Sequence, residues 1–313
     1  MKKISIIVPC YNEKETVEIF YNETSKVLNE IGYDYEIIYV NDGSKDSTLE
    51  AIEKLRHEHD NIVTIDFSRN FGKESAMYAG LENADGDYIA VMDSDLQDPP
   101  YMLKEMLKGI EEEGYDVVGT RRVSRKGEPP IRSFFARKFY QLINKFVEVE
   151  IVDGARDYRL MTRQVVDSIL SLKEYNRFSK GIFSWVGYKT KYLEYENVER
   201  VAGETSWSFW KLFKYAIDGI VAFTTAPLNI SMILGMSVSL FAFIYMIFVF
   251  VKALLHGDPV AGYPSLMVVI LFLGGIQLLG IGILGEYLSK MYIEIKNRPI
   301  YIAKSIKRGR DDE

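Results

Sequence analysis

Cysteine is nearly absent from this chain: Cys10 stands alone among 313 residues. An intramolecular disulfide is therefore excluded, and a reducing compartment is expected. Cys10 follows Pro9 at the end of an apolar run, which reads as a buried, inert thiol rather than a nucleophile. Histidine is scarce as well. Three scattered histidines are too few for a His-based metal centre, and no Cys/His spacing matches a zinc site. There is no excess of positive charge: the net charge of −6 argues against a nucleic-acid partner. Neither G-x-G-x-x-G nor G-x-x-x-x-G-K-[ST] occurs, so neither a dinucleotide fold nor a P-loop is supported. The opening "MKKISIIVPCYNE" has too short an apolar run for a signal peptide and lacks a small-residue cleavage site. The first segment is expected to be a strand, in a cytosolic N-terminal domain.

Long uncharged runs, by contrast, are present. "LNISMILGMSVSLFAFIYMIFVFV" (228–251) and "PSLMVVILFLGGIQLLGIGIL" (264–284) carry no charge. Each exceeds the roughly 20 residues needed to cross a bilayer core. Lys211 and Lys214 precede the first run. Lys290, Lys296, Arg298, Lys304, Lys307, Arg308 and Arg310 follow the second, while the loop between them offers only Lys252 and His256. The positive-inside rule then places both termini in the cytoplasm. Small residues recur at Ser231, Gly235 and Ser239, and at Gly274, Gly275, Gly280, Gly282 and Gly285. They suit close helix packing, either between the two spans or in a homo-oligomer.

Before residue 225, β-branched runs alternate with helical stretches: "ISIIVP", "YEIIYV", "IVTIDF", "DYIAVMD" and "YDVVGT" read as strands. Repeated βα units with continuous apolar strands predict an α/β fold, with a mainly parallel sheet covered on both faces. Ligands bind such sheets at the carboxyl ends of the strands. Polar groups gather there: Tyr11, Asn12 and Glu13 after the first strand, Asn41 and Asp42 after the second, Arg69 and Asn70 after the third, and Asp93 to Gln97 after the fourth.

The stretch "YIAVMDSDLQDPP" (Tyr88–Pro100) crowds three carboxylates and an amide at a strand end. Alternation along an extended chain lets Asp93 and Asp95 converge. With Gln97 they form a hard oxygen donor set suited to Mg2+ or Mn2+, which would relieve the repulsion between the carboxylates. Asp98 is expected to cap the helix entered at Pro99–Pro100.

"SIIVPCYNE", "VNDGSKDST", "RNFGKESA" and "DSDLQDPP" together resemble family 2 glycosyltransferases of GT-A, Rossmann-type fold. "DYRLM" and the two spans narrow the resemblance to polyprenyl-phosphate glycosyltransferases, the group of bactoprenol glucosyltransferases and dolichol-phosphate mannose synthases. The resemblance implies a nucleoside diphosphate sugar contacted by Pro9, Tyr11, Glu13, Asp42, Asp93, Ser94 and Arg200. It implies a divalent cation on Asp93, Asp95 and Gln97, and catalytic roles for Asp95 and Asp157. An anionic acceptor needs cations. Arg122, Arg125 and Arg132 are the candidates for its phosphate, because arginine forks match phosphate oxygens. Ser206 stands where dolichol enzymes carry a lysine, so a second cation at the leaving group is not expected there.

The organisation expected is a cytoplasmic catalytic domain (1–207), an interfacial juxtamembrane helix (208–227), two transmembrane helices with a short external loop (228–290) and a basic cytoplasmic tail (291–313). The function implied is inverting transfer of one hexose to a polyprenyl phosphate, such as undecaprenyl phosphate, at the cytoplasmic face of the cell membrane. UDP-glucose is the favoured donor, with UDP-N-acetylglucosamine and GDP-mannose as alternatives. The rivals are a processive polysaccharide synthase, disfavoured because no Q-x-x-R-W occurs, and a non-catalytic scaffold that binds nucleotide sugars.

Overall fold

The computed structural model describes residues 2–122, 144, 152, 154–195, 221, 224–256 and 262–310. The chain divides into two compact units, Met1–Ala216 with Arg298–Glu313, and Ile217–Asn297.

The first unit is built on an eight-stranded sheet. Its elements are β1 (Lys3–Cys10), α1 (Val17–Ile31), β2 (Asp34–Asn41), α2 (Thr48–Glu58), β3 (Ile62–Phe67), α3 (Lys73–Asn83), β4 (Tyr88–Val91), α4 (Met102–Glu111), β5 (Val117–Arg122), β6 (Ala155–Thr162), α5 (Arg163–Ser171), α6 (Ser179–Trp185), β7 (Thr190–Tyr195) and, after the second unit, β8 (Ala303–Arg308). The strand order is β7-β5-β6-β4-β1-β2-β3-β8. Strands β1 to β4 pair in parallel, as does β5 with β7. Among the described residues, only β6 and β8 pair antiparallel to their neighbours.

The apolar runs explain this core. Ile4, Ile6, Ile7 and Val8 of β1 are all buried, as are Ile37, Ile38, Tyr39 and Val40 of β2. Successive side chains point to opposite faces, so burial of every residue requires cover on both. On one face, Phe20 and Val17 of α1 join Ile6, Ile37 and Tyr39. On the other, α3 comes so close that a Cβ added at Gly80 would lie 2.2 Å from Ile7 Cγ2. Each fully buried Ile, Val or Leu contributes about 1.5–3 kcal/mol.

The stretch expected as a basic tail is divided: its start completes a long helix, and Ala303–Arg308 forms the edge strand β8. Six residues carrying three cations look like a solvated tail in sequence. Here Arg308 pairs with Asp85 at 2.7 Å, the Gly309 amide donates to the Ile62 carbonyl at 3.0 Å, and the buried Arg56 donates to the Gly309 carbonyl at 2.5 Å. Tyr301 stacks on Phe67, with ring centroids 5.0 Å apart. The lysines on this edge discourage pairing with a further chain.

The second unit is a helical hairpin, α7 (Ala226–His256) and α8 (Tyr263–Ile295). Both helices are long and apolar enough to cross a membrane. At 31 and 33 residues they run about 46 and 50 Å, beyond the roughly 30 Å of hydrocarbon. Their apolar side chains face outward: Phe241 is 74% exposed and Leu278 70%. Such a surface is costly in water and neutral in lipid. Ser231 Oγ lies 3.1 Å from where a Cβ on Gly280 would sit, so this pair of small residues serves packing within the hairpin. Tyr287 donates to the Thr224 carbonyl at 2.6 Å. The expected juxtamembrane helix falls mostly outside the described residues.

Candidate active site

The loops after β1 to β4 lie at one edge of the sheet, and side chains cross-link them. Asn12 adopts a left-handed backbone (φ 58°), which asparagine tolerates. Its side chain accepts from the Lys45 amide at 2.8 Å, and its own amide donates to Ser44 Oγ at 3.0 Å. Glu13 Oε2 accepts from the Thr16 hydroxyl, which also bonds Ser94 Oγ at 3.1 Å, tying the first loop to the fourth. Pro9 is the penultimate residue of β1, which leads into the same loop, and Tyr11 just beyond the strand is exposed.

Asp42 follows β2 and holds the third loop. Its carboxylate accepts from the Phe71 amide at 2.6 Å and the Gly72 amide at 2.9 Å. Burial pushes its pKa up to about 6, against the lowering effect of those amides. The next residue must be glycine. Gly43 has φ +63°, and a Cβ there would sit 2.5 Å from the Arg69 carbonyl carbon.

The fourth loop does not follow strand alternation. β4 stops at Val91, and Leu96 turns the chain with φ 55°. Separate partners orient the two aspartates instead. Asp95 Oδ1 accepts from the Gln97 amide at 3.1 Å, an Asx turn. Asp93 pairs with Lys73 at 2.7 Å. The Gln97 side-chain oxygen, expected as a metal ligand, accepts from Arg156 at 3.3 Å. Among the described residues, no group of three or more His, Cys, Asp or Glu side chains is arranged to hold a metal.

Asp98 is not a helix cap. α4 begins at Met102 after the N-cap Tyr101, without a side-chain cap, and Asp98 is buried, accepting from the Tyr195 hydroxyl at 2.5 Å and from Arg156 at 3.3 Å. Two prolines and an acidic residue ahead of a helix mimic a cap in sequence. The approach of β6 and β7 redirects the carboxylate. Burial raises its pKa, and Arg156 opposes that shift.

β6 serves the site from both faces. Arg156 and Tyr158 hold the fourth loop, the latter donating to the Pro99 carbonyl at 3.3 Å. Asp157, on the other face, pairs with Lys73 at 2.7 Å rather than with Arg156 or Arg159. Burial alone would raise the Asp157 pKa. Lys73 and then Lys180 outweigh it and hold the carboxyl well below the usual range. Arg159 turns to the backbone carbonyls of residues 156 and 157 and lies over Phe183 at 3.7 Å. The Arg122 amide donates to the Gly154 carbonyl at 3.0 Å, which puts this arginine beside the start of β6. Arg125, Arg132 and Arg200 lie outside the described residues.

Lys73 is the residue that sequence reasoning missed. Its Nζ reaches Asp93 and Asp157 at once. Glu74, beside it, accepts from the Ser179 amide and hydroxyl, and burial pushes its pKa up to about 7 against that hydroxyl. A signal for Lys73 existed. A lysine at the first position of a helix opposes the macrodipole, so some other partner must favour it.

Residues 5–170 match the family model for glycosyl transferase family 2, and residues 226–291 that for the GtrB C-terminal hairpin. The chain is 48% identical to CsbB of Bacillus subtilis (strain 168) over 301 residues, 96% of this chain and 91% of that one. It is 43% identical over 307 residues to the SfII prophage-derived bactoprenol glucosyl transferase of Shigella flexneri, covering 98% and 99% of the two chains. Among solved structures, the mannosyl-3-phosphoglycerate synthase of Rubrobacter xylanophilus shares the fold at 18% identity and a TM-score of 0.50, over 71% of this chain and 73% of that one. The sheet with its βα crossovers is GT-A-like.

Proposed function

The chain belongs to glycosyltransferase family 2, and from that premise we propose that it transfers a single hexose from a nucleoside diphosphate sugar to a polyprenyl phosphate. The observation that carries this reading is the length of the match. Proteins named bactoprenol glucosyl transferases align over both the catalytic unit and the apolar hairpin, not over the donor half alone. That name makes glucose the favoured sugar, and UDP is the carrier we favour for it.

The acceptor phosphate oxygen attacks the anomeric carbon as the bond to the diphosphate breaks, and the nucleoside diphosphate leaves with the electron pair. A phosphate monoester has a second pKa of about 6 and is largely dianionic near neutrality, so it needs little deprotonation. Asp157, held anionic by Lys73, is a weak base. Its role is to orient the sugar or the acceptor. Tyr11 and Glu13 border the nucleoside and Ser94 the pyrophosphate, while Arg122 provides a cation near β6 for the acceptor. Arg125, Arg132 and Arg200 complete the binding set.

Asp93 and Asp95 supply two hard oxygen donors at the turn. Mg2+ and Mn2+ commonly bind through one or two carboxylates together with substrate phosphates, so this pair fits a cation that arrives with the diphosphate better than a resident cage. A divalent cation held there would offset the charge growing on the leaving group.

Connectivity supports the topology we propose. Residues on both sides of the hairpin belong to one unit, and β8 returns to its sheet. A hairpin crossing the bilayer twice then has both ends on one side, and the lysines and arginines flanking it mark that side as cytoplasmic.

The test is transfer of label from UDP-glucose, UDP-N-acetylglucosamine and GDP-mannose to undecaprenyl phosphate by membranes containing the protein. A glucosyl lipid is expected. Failure with all three donors overturns the reading.

A further inference from the structure

We propose that Lys73 is an exchangeable counter-ion: in the donor-free protein its ammonium bridges Asp93 and Asp157, and when a divalent cation arrives it gives up Asp93 and keeps Asp157. This rests on the function proposed above, because it assigns a new residue to the same site.

The geometry points this way. Lys73 Nζ stands 2.7 Å from an oxygen of each carboxylate. The residues come from three separate elements: α3, the loop after β4, and β6. The bridge is neither a surface pair nor a sealed core pair, since the three side chains are 36%, 31% and 21% exposed. A side chain so placed can exchange partners without unfolding. Asp93 and Asp95 are two residues apart in a turn that no other described carboxylate completes into a cluster. A divalent cation there must compete with the ammonium already on Asp93. The carboxylate cannot serve both at full strength, because the two cations repel each other at this separation. Asp157 offers the ammonium a second anchor, so displacement costs one ion pair rather than two. Lys73 then stays beside Asp157 while charge develops on the leaving diphosphate. It is a positioning residue for Asp157.

A purely structural staple predicts something different. If Lys73 only fastened α3 to β6, removing it would loosen the fourth loop and weaken cation binding. An exchangeable counter-ion predicts the reverse for binding and a loss in turnover.

The experiment is a Mn2+ titration of the full-length protein in detergent, followed by electron paramagnetic resonance of free Mn2+, with and without UDP. It compares wild type, Lys73→Met, Lys73→Gln and Lys73→Arg, with melting temperatures of all four. An opposite charge at this range shifts carboxylate equilibria by one to three decades, so Lys73→Met is expected to bind Mn2+ alone about tenfold tighter than wild type. Its kcat is expected to fall at least about tenfold with KM for the donor little changed. Lys73→Arg, which keeps the charge, is expected within about threefold of wild type in Mn2+ affinity. Lys73→Gln supplies the comparison should the methionine variant fail to fold. Equal or weaker Mn2+ binding by the neutral variants overturns the proposal and leaves the proposed function standing. Absence of Mn2+ binding in every protein, with and without UDP, overturns both this proposal and the metal role in the function.

Discussion

The two units obey opposite rules of burial. In the sheet unit, apolar residues hide and polar ones are tied together: Ile7 is 0% exposed, while Asp42, Asp93, Asp98 and Asp157 each hold a named partner. In the hairpin, large apolar residues lie open, Phe241 at 74%, and the described polar contacts are few. Water drives the first arrangement, since apolar burial is the main favourable term there. Lipid tails are as apolar as leucine, so the hairpin instead uses small residues such as Gly280 to bring its helices together. One chain thus carries two solvents' rules. The same substitution should have different consequences on each side of the boundary.

The largest expected effect lies in the sheet unit. Asp95→Ala should reduce the transfer rate by about a thousandfold, the scale of losing a preorganised electrostatic group. The protein should stay in the membrane fraction, because the hairpin is untouched. Retained transfer in an initial-rate assay would mean that catalysis does not pass through this turn.

Apolar truncation tests the contrast itself. Ile7→Ala in the core should cost about 3 kcal/mol and lower the melting temperature of the catalytic unit. Phe241→Ala, equally apolar but outward-facing, should leave that transition unchanged. Equal losses would show that the two units melt as one.

Acidity offers a finer probe. Asp42 has a pKa raised to about 6, so between about pH 4 and 6 the folded form holds a proton that the unfolded chain has released. The Asp42 contribution therefore falls as pH rises through that window. The loss is about 3 kcal/mol, because the folded carboxyl binds its proton roughly a hundredfold more tightly than the unfolded one. Asp42→Asn should remove this part of the slope, measured by denaturant titration from pH 4 to 7, while Glu74, raised to about 7, keeps its own. An unchanged slope would place the titrating group elsewhere.

The smallest effect is expected just beyond β8. Arg310 pairs with Asp60 at 3.2 Å, with both side chains more than half exposed. Arg310→Ala should change stability by less than about 1 kcal/mol. A larger loss would mean that β8 controls the sheet edge more than its surface pairs suggest.

Much of this was legible in the sequence. The strands carry their own β-branched runs, and the spans declare themselves by length. The polar residues gathered at one edge of the sheet were legible because they follow strands β1 to β4. β8 was not, since lysine and arginine mask a six-residue edge strand. Asp98 was misread because cap chemistry and a buried ion pair use the same side chain. Lys73 was visible only as an oddity against its helix dipole.

By itself the sequence determined which segments are strands, helices or membrane-length hairpins, because propensity and hydrophobic period act over a few neighbouring residues. Which charges meet was decided only by the tertiary structure. Lys73 and Asp157 are 84 positions apart, and what joins them is the strand order that sets β6 beside β4. Ion pairing depends on distance in space, and that distance is a property of the folded sheet rather than of spacing along the chain.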